Sequence, residues 1–235
     1  MEQTLKITNV LSDPTRYYIY QYITKRHQEV TVQEIADKFN IHPNVARLHL
    51  SKLEDVNMLV SETKKTGKGG RPSRLYRLSD DLIQLYFPFR DYQLLSNIAM
   101  QTLFSLGEAG QQALYQTGKR YGAELIEQEI AAQHQIAEEL TFEQKLSIIK
   151  NVATKSGFYP DFEVNEDQTK IYFEIFNCPF KEVTMEHPEA VCGMHFQFLK
   201  GMFEALFPSV ELVEKENMFS GCNYCSYQAM IPEHH

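Results

Sequence analysis

The chain has 235 residues, 43% of them apolar, with modest glycine and proline; that excludes a disordered or collagen-like polymer and suits one large or two small globular domains. No run is long and apolar enough to cross a bilayer, and the first residues lack the basic and apolar regions of a secretory leader, so a cytoplasmic protein is expected. The net charge of −8 hides an asymmetry: residues 1–78 carry thirteen Lys/Arg against eight Asp/Glu, and the remainder ten against twenty-three. A basic head on an acidic body is the pattern of a protein whose head alone meets a polyanion.

Apolar residues at helical spacing (Leu5, Val10, Leu11, Ile19, Ile23) predict helix over 4–27. Ser12-Asp13-Pro14 opens a second segment within it, through a cap followed by proline in the first turn. Tyr17, Tyr18, Tyr20 and Tyr22 make this helix aromatic, read as core packing plus a dimer face. Thr31, with Glu34 three residues on, has the spacing of a capping box for a short helix Val32–Phe39. Asn40-Ile41-His42 makes a turn. Pro43 starts a longer helix to about Met58, with Val45, Leu48, Leu50, Leu53 and Val56 as its apolar positions. Two helices across a tight turn form a helix-turn-helix.

Leu59–Thr63 and Ser73–Leu78 read as two strands joined by a glycine-rich basic tip, a hairpin wing. Lys64, Lys65, Lys68, Arg71, Arg74 and Arg77 are offset there only by Glu62. A lone charge run is usually a solvated loop, but this one follows a helix-turn-helix, which favours contact with double-stranded DNA. The run Leu11-Ser12-Asp13-Pro14-Thr15-Arg16, the Ile35-Ala36 helix, the stretch His49-Leu50-Ser51-Lys52-Leu53 and the basic wing together resemble the ArsR-type winged-helix repressors over residues 4–78. The resemblance implies that the second helix of the motif enters the major groove, with His42, Asn44, Arg47, His49 and Ser51 as its exposed front. Asn44, Arg47, His49, Lys64, Lys65, Lys68, Arg71 and Arg74 are therefore the expected DNA contacts, Asn44 and Arg47 having the side chains best suited to base or phosphate.

Residues 80–106 read as helical with a break near Pro88, and 107–137 as a long helix whose Gly110, Gly118 and Gly122 permit close helix contacts. These segments are the expected place of homodimerisation, simple packing within a domain being the bland alternative. Thr141 starts a further helix, Phe142–Ser156. From Gly157 the period changes to that of strands: Phe158–Val164 and Lys170–Phe176 flank a turn at Asn165-Glu166-Asp167-Gln168. Pro188 opens a helix that Pro208 ends, and Val210–Phe219 and Asn223–Ile231 are two more strands. The expected class is α+β: a winged helix-turn-helix in 1–79, a helical dimerisation linker in 80–106, and an antiparallel ββαββ sensor domain in 107–235. The terminal His234-His235 pair is assigned nothing.

All four cysteines lie in this last part, spaced Cys178-x13-Cys192-x29-Cys222-x2-Cys225. A chain of this length builds a core without disulfides, and reduced, clustered thiols more often bind metal or do redox chemistry. Cys178-Pro179 marks a strand end, Cys192 lies in the first turns of a helix where the dipole favours a thiolate, and Cys222 and Cys225 flank the last strand's entry. Four thiolates suit zinc or an iron–sulfur cluster, and the lack of a second Cys-x2-Cys pair leans toward the cluster. Four buried small residues, or a Cys222–Cys225 disulfide, are the bland alternatives. His195, on the same helical face as Cys192, reads as a packed or solvated histidine rather than a ligand.

Cys178-Pro179, Pro188-Glu189-x2-Cys192 and Gly221-x3-Cys225-x-Tyr227 resemble the sensor domain of SufR-like repressors, and more distantly the vinyl-reductase-type sensor fold, over about 107–231. That resemblance implies a 4Fe–4S cluster on Cys178, Cys192 and Cys225; Cys222 departs from the pattern, either as the fourth ligand or as a sign that the site holds something else. It also implies a homodimeric repressor whose cluster-loaded form binds operator DNA. The alternatives are a zinc- or thiol-redox-responsive winged-helix regulator and a small-molecule sensor with an apolar pocket in the tail. No phosphate loop or nucleophile constellation points to an enzyme; a thiol oxidoreductase using Cys222 and Cys225 would need a thiolate of low pKa.

Overall fold

The computed structural model describes residues 2–26, 28–64 and 73–232. Backbone contacts divide the chain into two units, Met1–Arg90 and Asp91–His235. In the first, α1 (Glu2–Leu11) and α2 (Pro14–Arg26) are separated at Asp13, whose carboxylate accepts the Arg16 N–H at 3.0 Å. A two-residue strand β1 (Val30–Thr31) leads into α3 (Val32–Phe39). The expected capping box is formed there: Thr31 Oγ1 accepts the Glu34 N–H, and Glu34 returns a carboxylate to the Thr31 N–H. Asn40 ends α3 in the left-handed region at φ 51°, a conformation asparagine tolerates better than most residues. The chain then enters α4 (Pro43–Glu54). Strands β2 (Leu59–Lys64) and β3 (Ser73–Leu78) pair antiparallel from Leu59↔Leu78 to Lys64↔Ser73, and β1 adds to the far edge of β3. Ile7, Ile19, Ile23, Ile35, Leu50, Leu53 and Tyr76 form the core of this unit. The wing tip, with Lys65, Lys68 and Arg71, lies outside the described residues, as do His234 and His235.

Residues 80–91 carry no helix, contrary to expectation; helix begins only at α5 (Tyr92–Ser105), opened by Asp91, whose carboxylate accepts the Leu94 N–H. Pro88 accounts for part of the difference, because proline disfavours helical geometry in the residue before it.

In the second unit α5 is followed by α6 (Glu108–Ala132), a 3-10 turn at Ala137–Glu139 and α7 (Phe142–Lys155). A capping box between Thr141 and Gln144 opens α7. Strands β4 (Pro160–Val164) and β5 (Lys170–Ile175) form a hairpin across the Asn165–Gln168 turn. Then come α8 (Lys181–Glu186), α9 (Pro188–Glu204), β6 (Glu211–Glu216), a 3-10 turn at Met218–Ser220 and β7 (Cys225–Met230). The sheet runs β4-β5-β7-β6 with every pair antiparallel. The fold is α+β as expected, with two helices rather than one between the strand pairs. Helices α6 and α9 pack very closely, since glycines stand at the crossing: a Cβ on Gly122 would collide with the Phe198 carbonyl, and one on Gly201 with that of Lys119. The core between helices and sheet holds Ile126, Ile149, Phe158, Phe173, Met202 and Phe203.

Candidate functional site

Helix α4 is built to show one face. Ala46, His49, Leu50 and Leu53 recur at i, i+3, i+4 and i+7 and are buried, one stripe of a 3.6-residue period. Its opposite face carries Asn44, Val45, Arg47, Leu48 and Lys52, all exposed. This corrects the sequence reading twice. Val45 and Leu48, expected in the core, are 41% and 54% exposed, and His49, expected on the exposed front, is only 7% exposed. The inward stripe uses a small residue and a histidine where larger apolar residues were anticipated. Asn44 and Arg47 lie where expected: the Arg47 guanidinium donates to Asn44 Oδ1 at 3.1 Å, and the Asn44 N–H donates to Nδ1 of the capping His42 at 3.2 Å.

Lys64 and Arg74, at the two ends of the wing, are less free than the sequence implied. Lys64 pairs with Glu29 at 2.7 Å and Glu62 at 2.8 Å, and Arg74 is held by both carboxylate oxygens of Glu54 and by Ser61. The Lys64 pairs are of the surface kind that contributes little to stability, so a phosphate can displace them at small cost, whereas Arg74, Glu54 and Ser61 form a joined network that holds Arg74 more firmly.

His49 Nδ1 is buried and has no hydrogen-bond partner among the described residues. Burial, aided by the Arg16 cation, holds its pKa below the ordinary value of 6.5, against the opposing carboxylate of Asp13. The folded unit therefore keeps His49 neutral, while the unfolded chain takes up a proton below about pH 6.5. The stability this gives is complete above that pH and is lost as pH falls toward the depressed folded value. His49→Leu is expected to lose less stability than the wild type between pH 7.5 and 5.5 in urea denaturation; parallel losses would show that His49 does not carry the dependence.

In the second unit, three of the four cysteines share one neighbourhood. Cys178 follows β5, Cys192 lies on α9 and Cys225 begins β7. Cys192 and Cys225 both act electrostatically on Cys178, and Cys192 acts on Cys225. Burial pushes Cys178 up to about 11, against the opposing influence of the Phe180 N–H and of the Thr184 side chain, whose hydroxyl donates to the Phe180 carbonyl at 2.8 Å. Burial also raises Cys192, helped by the Glu214 carboxylate and opposed by Asn217. That reverses the expectation that the start of the helix would favour a Cys192 thiolate. Cys225 is raised chiefly by burial, although the Met218 N–H reaches its sulfur at 3.4 Å and Tyr227 hydrogen-bonds to it. Cys222, half-buried in the loop before β7, is felt by Tyr224 instead.

His195 is packed, as expected: its ring stacks on Phe158 at 5.0 Å and meets Phe180 edge-on at 5.5 Å. Burial pushes it down to about 4, leaving it neutral, and Nε2 finds no partner among the described residues. Thr184, Glu214 and Asn217 are neighbours that sequence reasoning missed. Thr184 lies on α8, a short way past Cys178, while Glu214 on β6 and Asn217 just after it are far along the chain from Cys192, and no local spacing links those two to it. Nearby, a cleft of about 790 Å³ is lined by Phe104, Tyr115 and His187 together with Glu108, Glu186 and Glu189.

Chemically, the three thiols are soft donors from three separate elements, which suits a thiophilic metal centre. Among the described residues, no group of three or more His, Cys, Asp or Glu side chains stands preassembled around a metal position. The donors fit such a centre in kind, and binding would have to draw them together.

A helix-turn-helix domain model matches residues 11–62, the segment from the end of α1 through α4 into β2. The chain thus contains a helix-turn-helix domain, which points to a DNA-binding transcription regulator. No curated protein matches the chain. Among solved structures, trafficking protein particle complex subunit 3 from Naegleria fowleri, covalently bound to palmitic acid, is similar at 16% identity and a TM-score of 0.41, over 60% of this chain and 97% of that one. The phenol-responsive sensory domain of the transcription activator PoxR, with phenol, is similar at 16% identity and a TM-score of 0.44, over 79% and 89%. Among the described residues, no helix is long and apolar enough to cross a membrane.

Proposed function

We propose that the chain is a homodimeric, SufR-like transcriptional repressor whose operator binding is controlled by an iron–sulfur cluster in the C-terminal unit. The observation that carries this reading is the shared, largely buried neighbourhood of Cys178, Cys192 and Cys225, drawn from a strand end, a helix and a strand start. Burial raises all three thiols, so none of these three has the depressed pKa of a nucleophilic cysteine. A bound metal centre supplies the positive charge that stabilises thiolates in such a place. Cys178, Cys192 and Cys225 are the ligands, and Cys222 is the nearest further thiol in the chain. DNA binding falls to Asn44 and Arg47 on α4 and to the basic wing.

Dimerisation is assigned to α5. None of its residues is buried, and Tyr92, Leu94, Leu95 and Ile98 present exposed apolar side chains; a run of this kind favours a partner surface over water. Two copies then place their reading helices about one DNA turn, ~34 Å, apart.

The test is anaerobic purification followed by visible absorption, iron, sulfide and zinc analysis, and the mass in solution. Visible absorption with matching iron and sulfide in a dimer is the expected result. Colourless protein with stoichiometric zinc would replace the cluster by the zinc reading, and protein that retains neither would overturn both.

A further inference from the structure

The exposed face of α4 holds a feature that the proposed DNA contacts leave unused. Val45 and Leu48 stand one helical turn apart, 41% and 54% exposed, next to Asn44 and Arg47. Scattered apolar residues on a surface are ordinary. These two are placed otherwise: they occupy the N-terminal half of the second helix of a helix-turn-helix, the part that meets base edges in this motif. Valine also gains nothing there from helix propensity, where a lysine, glutamate or alanine would serve the helix better. Arg47 donates one N–H to Asn44 on the same face, and no other hydrogen bond of its guanidinium is found among the described residues.

In the major groove the apolar mark carried by a base pair is the 5-methyl group of thymine, while guanine offers the paired acceptors that suit arginine. We propose that Val45 and Leu48 read thymine methyl groups, so that the half-site carries thymine beside the base pair met by Arg47. The proposal rests on the DNA-binding reading of this unit. The polar and cationic neighbours Asn44, Arg47 and Lys52 fit a polyanion's groove better than the apolar face of a second protein.

The experiment begins with duplexes selected by the full-length protein from a random library. Each thymine of the selected half-site is then replaced by deoxyuridine, which removes only the methyl group. At one or two positions the wild type is expected to bind about three- to fivefold more weakly, the worth of one buried methyl. In Val45→Ala/Leu48→Ala the ratio of thymine to uracil binding at those positions is expected to fall to one. Both side chains are exposed, so the substitutions leave the core intact; circular dichroism verifies this. A wild type indifferent to uracil at every position, or discrimination that survives in the double variant, overturns the proposal. A double variant that changes oligomeric state with the ratio unaltered assigns the pair to a contact between copies and overturns it too. Failure of the wild type to bind any duplex at low salt is the distinct result that removes the DNA-binding reading itself.

Discussion

Gly122→Ala and Gly201→Ala are each expected to cost the C-terminal unit about 3 kcal/mol or more, at or beyond the upper end for overpacking a close contact. The sign makes the prediction sharp. Both glycines lie in helices, α6 and α9, and by helix propensity alone alanine would gain about 1 kcal/mol. The added Cβ, however, would meet the Phe198 carbonyl from Gly122 and the Lys119 carbonyl from Gly201, backbone atoms that yield only if the helices move apart. A domain of ordinary stability, ~5–15 kcal/mol, has little room for such a loss. Hydrogen exchange resolved along the chain is the measurement, because two units need not unfold as one. Protection is expected to drop in α6, α9 and β4–β7 and to persist in α2–α4. Gly107→Ala is the control, since nothing lies within 4 Å of a Cβ there and only the strain of its φ of +61° is at stake. Equal or greater protection of α6 and α9 in the Gly122 and Gly201 variants would mean that the helices do not cross this closely.

Much of the fold was legible because its signals are local. Thr31 with Glu34 marks one helix start, Thr141 another, and Asn165–Gln168 a hairpin; each is settled by residues a few positions apart. The glycines of α6 also announced a close helix contact, though not that α9 is the partner. Face selection on α4 was not legible. Apolar residues occupy both of its stripes, and the fold buries the one with Ala46 and His49, a choice that depends on the shape of the surrounding core rather than on the count of apolar atoms. Helix α8 went unseen because its six residues, Lys181–Glu186, are too few to show a period. At the site, the predicted elements suggested that all four cysteines converge, and the resemblance singled out Cys178, Cys192 and Cys225; neither indicated that burial would outweigh the helix start at Cys192. The ties of Arg74 to Glu54 and of Lys64 to Glu29 join residues distant in the chain, and no pattern in the sequence encodes them.

The C-terminal cysteines are expected to divide three to one. Cys178→Ser, Cys192→Ser and Cys225→Ser should each abolish retention of the metal centre and change operator affinity about tenfold or more, a coupling of ~1–3 kcal/mol. Cys222→Ser should have the smallest effect, since that thiol acts on Tyr224, whereas Cys192 and Cys225 act on Cys178 and Cys192 acts on Cys225. The coupling has a physical source. Cys178 continues from β5, Cys192 rides on α9 and Cys225 opens β7, and β5 and β7 are neighbours in the sheet. Ligation that draws three buried neutral thiols together as thiolates stabilises only conformations that present all three, and its binding energy appears as added order in those elements. A ligand shifts an equilibrium only by its differential affinity for the two states, so the change in operator binding measures how differently the DNA-binding and non-binding forms hold the centre. The measurement is anaerobic operator affinity for loaded protein, stripped protein and each serine variant, with iron, sulfide and zinc analysed on the same samples. Comparable loss in Cys222→Ser would make it the fourth ligand and require the loop at 221–224 to close on the site. Equal affinity of loaded and stripped protein would reduce the centre to a structural clasp and remove sensing from the function.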